Sequence, residues 1–181
     1  MITQPNTPVL IDAFLVEFNT KIVSLLPWLN NPLGKVQGVT RDGRVVPAMF
    51  TNGKEYGLEV WPSDTLSNFS WFVFGKEQLT QARRQARITV PASFNLFLDL
   101  RKVYPLVTQS RDIENAKSEI VTALKTITLL TGSLSITEVS ESFDDVYEGF
   151  SLSETEDKYF MQPFAGLNFK LDVILRNTTV C

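Results

Sequence analysis

Two stretches of this chain alternate apolar and polar residues with the period of a β-strand. Phe94, Leu96, Leu98 and Leu100 interleave with Ser93, Asn95, Phe97 and Asp99. Phe169, Leu171, Val173 and Leu175 interleave with Asn168, Lys170, Asp172 and Arg176, and Ile174 is the one apolar residue on that outer face. Successive strand side chains point to opposite faces, so each stretch predicts a strand with one face on a core. Strands with one polar face belong to antiparallel or mixed sheets, not to all-parallel ones.

Two amphipathic segments offer cover for such a sheet. Thr7-Pro8 predicts a helix start, with Thr7 as N-cap and Pro8 in the first turn. Leu10, Phe14, Val16, Phe18, Ile22, Leu25 and Leu26 then recur at helical spacing, up to Pro27 and Asn30-Asn31-Pro32. Ser110 predicts the cap of a second helix, with Asp112 and Glu114 at its positive end. Ile113, Ala116, Ile120, Leu124 and Ile127 form its apolar stripe, and Gly132 reads as the residue just past its end.

The remaining strands are signalled by turns. Arg41-Asp42-Gly43-Arg44 and Asn52-Gly53 predict two tight turns. Between them Val45 to Thr51 is a strand, which Pro47 places at an edge or at its end. Tyr56, Leu58 and Val60 share one face of the next. The apolar run Phe69 to Phe74 predicts a strand covered on both faces. Pro105 reads as the stop for the strand through Leu100. Leu134 to Val139 is a short strand, and Ser151 to Lys158 an exposed loop. The expected fold is α+β: a mixed, mostly antiparallel sheet with two main helices packed on one face. The other face is expected to be open, and the sheet edges to need a partner or protection. One structural domain is expected over residues 1–181, with a loose arm at 1–6 and an acidic insertion loop at about 140–158.

Composition narrows the chemistry. The chain has no histidine, and its one cysteine is Cys181. The commonest proton-transfer side chain, the Ser-His and Cys-His nucleophile pairs and every Cys/His zinc pattern are therefore missing. An internal disulfide is impossible, so the fold does not depend on an oxidising compartment. No run approaches the roughly 20 apolar residues of a membrane helix. Lys21 is the first positive side chain, so no signal peptide is expected, and assembly in a cytoplasm is. The net charge of -3 and pI of about 5.1 disfavour sequence-independent nucleic-acid binding by the whole surface. Phosphate-loop, dinucleotide-loop and nucleophile-elbow glycine motifs are absent from the sequence.

Three clusters remain as candidates. Glu138, Glu141, Asp144, Asp145 and Glu148 form an acidic group, readable as a divalent-cation site or as a solvated acidic face; EF-hand spacing is missing. Arg83, Arg84 and Arg87, followed by Arg101 and Lys102, form a basic group that suits phosphates or an acidic neighbour. Phe69, Trp71, Phe72 and Phe74 suit either a stacking platform or a buried strand. Opposite charges carried by one chain suit pairing between subunits. The expected subunit interface is thus Arg83, Arg84 and Arg87 against Glu141, Asp144, Asp145 and Glu148. No catalytic residue, cofactor or metal is assigned.

The order of elements carries a resemblance. An amphipathic helix precedes strands bearing "EYGLEVWPSDTLSNFSWFVF"; a helix follows "SFNLFLDLRKVYP"; the chain ends on "FAGLNFKLDVILRNTTVC". In layout the chain resembles tail-terminator and connector-ring proteins at the head–tail junction of tailed bacteriophages, notably those of crAss-like phages of Bacteroidetes hosts. The resemblance runs from about Val9 to Asn177. It implies a virion structural protein in a ring of six or twelve copies, joined to portal, neck and tail proteins and assembled in the host cytoplasm. It implies no catalysis and no membrane, and leaves open a non-specific contact with packaged DNA in the channel. A carboxylate- and metal-dependent enzyme and a monomeric binding module are the alternatives.

Overall fold

The computed structural model describes residues 10–51, 54–82, 85–105, 112–152 and 155–176. In chain order these form α1 (Leu10–Leu25), β1 (Asn31–Arg41), β2 (Arg44–Thr51), β3 (Lys54–Glu59), β4 (Phe69–Phe74), β5 (Gln78–Ala82) and β6 (Gln85–Asp99). Then come α2 (Leu100–Val103), α3 (Asp112–Thr126), β7 (Gly132–Ser140), α4 (Phe143–Val146), a 3-10 turn (Asp157–Phe160) and β8 (Phe164–Leu175). The caps expected at Thr7 and Ser110, the Asn52-Gly53 turn, Arg83, Arg84 and the arm at 1–6 lie outside the described residues.

The sheet runs β3-β2-β1-β4-β6-β8-β7, with β5 paired to the first half of β6. Every pairing is antiparallel except β1 with β4, so the sheet is mixed and mostly antiparallel, as expected. Asp42 and Gly43 at the tip of the β1–β2 hairpin both have positive φ, 48° and 76°. That is the left-handed geometry of a two-residue turn that matches strand twist. Pro47 is not on an outer strand, since β2 lies between β1 and β3, yet its missing amide costs no ladder bond. The Val45 and Pro47 carbonyls accept the amides of Ser151 and Val60, both at the side where β3 has ended. The β2–β3 register shifts twice, and the exposed Leu58 does not share a buried face with Val60.

The two alternating strands behave as expected. Phe94, Leu96, Leu98, Leu100, Phe169, Leu171, Val173 and Leu175 share one core with Phe14, Phe18 and Ile22 of α1 and Ala116, Ile120 and Leu124 of α3. Phe18 sits edge-on to Phe72 and Phe94, at centroid distances of 5.0 and 5.2 Å. β6 ends at Asp99 and not at Pro105, because the Asp99 carboxylate caps α2 by accepting the Arg101 amide. Gly132 does not terminate α3. It opens β7, where a Cβ would lie 2.6 Å from the Ile174 carbonyl oxygen. Close backbone approach, not a helix end, requires glycine there.

The far face of the sheet is covered at its centre and stays open at the β7–β8 end, where Ser133, Ser135, Glu138 and Asp172 are exposed. Phe69, Trp71 and Phe97 point away from the helices into a second core with Val146, Tyr147 and Tyr159, joined by Leu33, Val36, Met49 and Val60. Tyr147 packs on Trp71 with ring centroids 5.1 Å apart, and Phe143 lies 6.2 Å from Phe97. The segment expected as an acidic insertion loop therefore supplies the lid of this core. Phe143, Val146, Tyr147 and Phe150 are spaced as one helical face; Val146 and Tyr147 are buried, Phe143 and Phe150 pack half-buried beside them, and the acids between them stay outside. Gly166 makes room for it: a Cβ there would meet Phe143 at 2.8 Å.

Candidate subunit interface

The register of β6 fixes where Arg87 and the acidic segment lie. At one end, in the β5–β6 hairpin, Arg87 pairs with Thr80. At the other, Asn95 pairs with Asn168 of β8, and the Asn168 side-chain amide donates to Asn95 Oδ1 at 2.6 Å and to the Asp145 carbonyl at 3.3 Å. The acidic segment is thus anchored over Asn95. At a strand rise of about 3.3 Å per residue, Arg87 and Asn95 are roughly 26 Å apart. The backbone places Arg87 and the acidic segment far apart along one long strand.

Two of the acids already have counter-charges in the same chain. Glu141 pairs with Lys117, which also holds Glu114 at 2.7 Å. The hydrogen bonds that Lys117 donates to both carboxylates raise its pKa. Glu148 pairs with Lys170 at 2.5 Å. The Asp145 carboxylate accepts the Ser140 hydroxyl, and Ser142 caps α4 through the Asp144 amide at 3.2 Å. Asp144 and Asp145 are both exposed and carry no ion pair among the described residues. Of the four acids in the expected interface, they are the two left for an outside partner. The sequence pattern marks Lys170 only as an outward position on β8, and nothing in it singles out Lys117.

The aromatic run is core. Phe69, Trp71 and Phe72 are fully buried, on alternate faces of β4, so no stacking platform exists there. Of the later basic residues, Arg101 is engaged by Asp99 at 2.8 Å and lies over the Phe164 ring. No three His, Cys, Asp or Glu side chains come together as metal ligands among the described residues. No described helix is long and apolar enough to cross a membrane. No protein-family model matches the chain, and no curated protein sequence is significantly similar to it.

Proposed function

We propose that this chain is a structural subunit of an oligomeric ring at a phage head–tail junction, acting by contact and not by catalysis. The observation that supports it is the separation of charge along β6. Arg87 and the acidic segment anchored over Asn95 lie too far apart along one strand to meet within a copy, but can meet between copies. Contact of one with the other on a neighbour is heterologous, and such contacts close into rings when the rotation allows. In this ring Arg83, Arg84 and Arg87 face Asp144 and Asp145, with Glu141 and Glu148 at the margin. Portal, neck and tail proteins are the further partners, and any DNA contact is made by the channel face.

Native mass measurement tests the reading: six or twelve copies are expected. Replacing the three arginines by Glu should prevent assembly, and adding Asp144→Lys and Asp145→Lys should restore part of it. A wild-type chain that stays monomeric, or an arginine variant that assembles normally, overturns the assignment. If that variant assembles but virions fail to retain DNA, the arginines line the channel.

A further inference from the structure

We infer that the edge of β7, unpaired among the described residues, is a second self-association surface, on which two copies pair β7 to β7 about a twofold axis at Leu134. The argument starts from how poorly this edge is guarded. Sheet edges are normally blunted by charge, proline or bulges. Of the sheet's two ends, β3 carries Lys54, Glu55 and Glu59 in its sequence and two register shifts. By contrast β7 begins Gly-Ser-Leu-Ser-Ile, without charge or proline, and its one bulge comes after Ile136.

The outward groups can be identified. The Arg176 amide donates to the Thr131 carbonyl at 2.9 Å. Ladder bonds alternate in an antiparallel pair, so Ser133 and Ser135 direct their backbone groups to β8. Those of Gly132, Leu134 and Ile136 point to the edge, and they have no backbone partner among the described residues. Antiparallel pairing centred on Leu134 sets Leu134 against Leu134 of the second copy and Gly132 against its Ile136. Ser133 then meets Ser135. Apolar positions meet apolar ones and serines meet serines. A cleft of about 460 Å³ between α3 and this strand, lined by Leu124, Ile127, Leu134 and Ile136, leaves room for the incoming side chains.

The flanks of the edge are complementary under the same twofold. Leu130, before β7, is 76% exposed, and Val139, near its end, is 36% exposed. Leu130 is not loose: Glu17 of α1 holds its amide at 2.8 Å, so the backbone is fixed while the side chain points to solvent. Glu138 pairs with Lys170 on the other sheet face, while Arg176 follows Leu175 just past the end of β8 and also borders the α3 cleft; neither has an ion pair among the described residues. Antiparallel pairing brings Leu130 to Val139 of the second copy, and Arg176 to its Glu138. A second copy of this chain therefore fits both the charge pattern and the apolar pattern.

This contact is independent of the heterologous ring: a dimer forms with or without it. Sedimentation equilibrium up to about 0.1 mM should show a reversible dimer for the wild-type chain. Glu138→Arg and Arg176→Glu should each weaken it about tenfold, because the twofold places the ion pair in the interface twice. The double variant should recover most of that loss. In a Cys181→Ser background, Leu134→Cys should cross-link to itself under mild oxidation, and Val16→Cys on α1 should not. A wild-type monomer overturns the inference, including one whose own terminal residues cover the edge. So does a dimer or ring in which Leu134→Cys stays uncross-linked and the double reversal gives no rescue. A dimer that never closes into six or twelve copies sinks the ring reading alone.

Discussion

The carboxylate of Glu17, in the middle of α1, receives the backbone amide of Leu130 at 2.8 Å. It also accepts the Thr131 amide at 2.9 Å and the Thr131 hydroxyl at 2.7 Å, and Lys21 lies 2.9 Å away on the next turn. One ionised side chain thus ties the first helix to the loop entering the edge strand. Desolvation pushes its pKa up, but the Leu130 and Thr131 hydrogen bonds and Lys21 outweigh it and lower the pKa from 4.5 to about 2. A carboxyl group with a depressed folded-state pKa stabilises above its unfolded value and loses that contribution on acidification. Wild-type stability should therefore fall between about pH 4.5 and pH 2 by an amount that Glu17→Gln lacks. At neutral pH the substitution should cost about 1–2 kcal/mol through the weakened hydrogen bonds. Urea titrations of both proteins across this range check it, and parallel pH profiles would refute the clamp.

Leu171 is 1% exposed and lies among the side chains of the helix-covered core. Leu171→Ala removes buried methyl groups and leaves a cavity, which should cost about 2–5 kcal/mol. An unchanged urea midpoint for this variant would contradict the shared core of β6, β8, α1 and α3.

How much was legible in the sequence follows from which signals are local. The period of Phe169 to Leu175 survived because one face packs on helices and the other is polar through most of its length, the condition under which alternation reports burial. The Asp42-Gly43 turn survived because positive φ at both residues has few sequence solutions. Gly132 was misassigned because glycine serves both helix ends and close backbone approach, and only the position of Ile174 decides between them. The covered far face was missed because the acids around Phe143, Val146, Tyr147 and Phe150 dominated the reading of that segment. The apolar residues there kept helical spacing through only one short turn of helix. Of the candidate interface, the residue types were visible, but the separation of Arg87 from the acidic segment along β6 depends on a register set by β5 and β8.

Gly132→Ala tests close approach directly. Its Cβ would fall 2.6 Å from a backbone oxygen, Ile174 O, which cannot swing away like a side-chain tip, and 3.2 Å from the Phe14 ring. The start of β7 must shift from β8, at a cost of about 1–3 kcal/mol. Hydrogen exchange should show the loss concentrated in the amides of Ser133 and Ser135. Unaltered protection there would mean that β7 accommodates a side chain at its first residue.

Tyr147 makes the opposite prediction. Its ring is buried between Trp61 and Trp71, at centroid distances of 5.8 and 5.1 Å, yet its hydroxyl has no hydrogen-bond partner among the described residues. Burial alone pushes its pKa well above the ordinary tyrosine value, which favours the neutral phenol. A buried, unsatisfied hydroxyl is a cost, while the ring contributes dispersion and apolar burial. Tyr147→Phe keeps the ring and removes the cost, so stability should hold or rise by about 1 kcal/mol. Tyr147→Ala removes both and should lose about 3–5 kcal/mol, as large aromatic truncations do. Chemical denaturation of the two variants separates the terms. A Tyr147→Phe protein less stable than wild type by more than about 1 kcal/mol would mean that the hydroxyl is bonded, with an enclosed water beside the Trp71 indole nitrogen as the partner to seek.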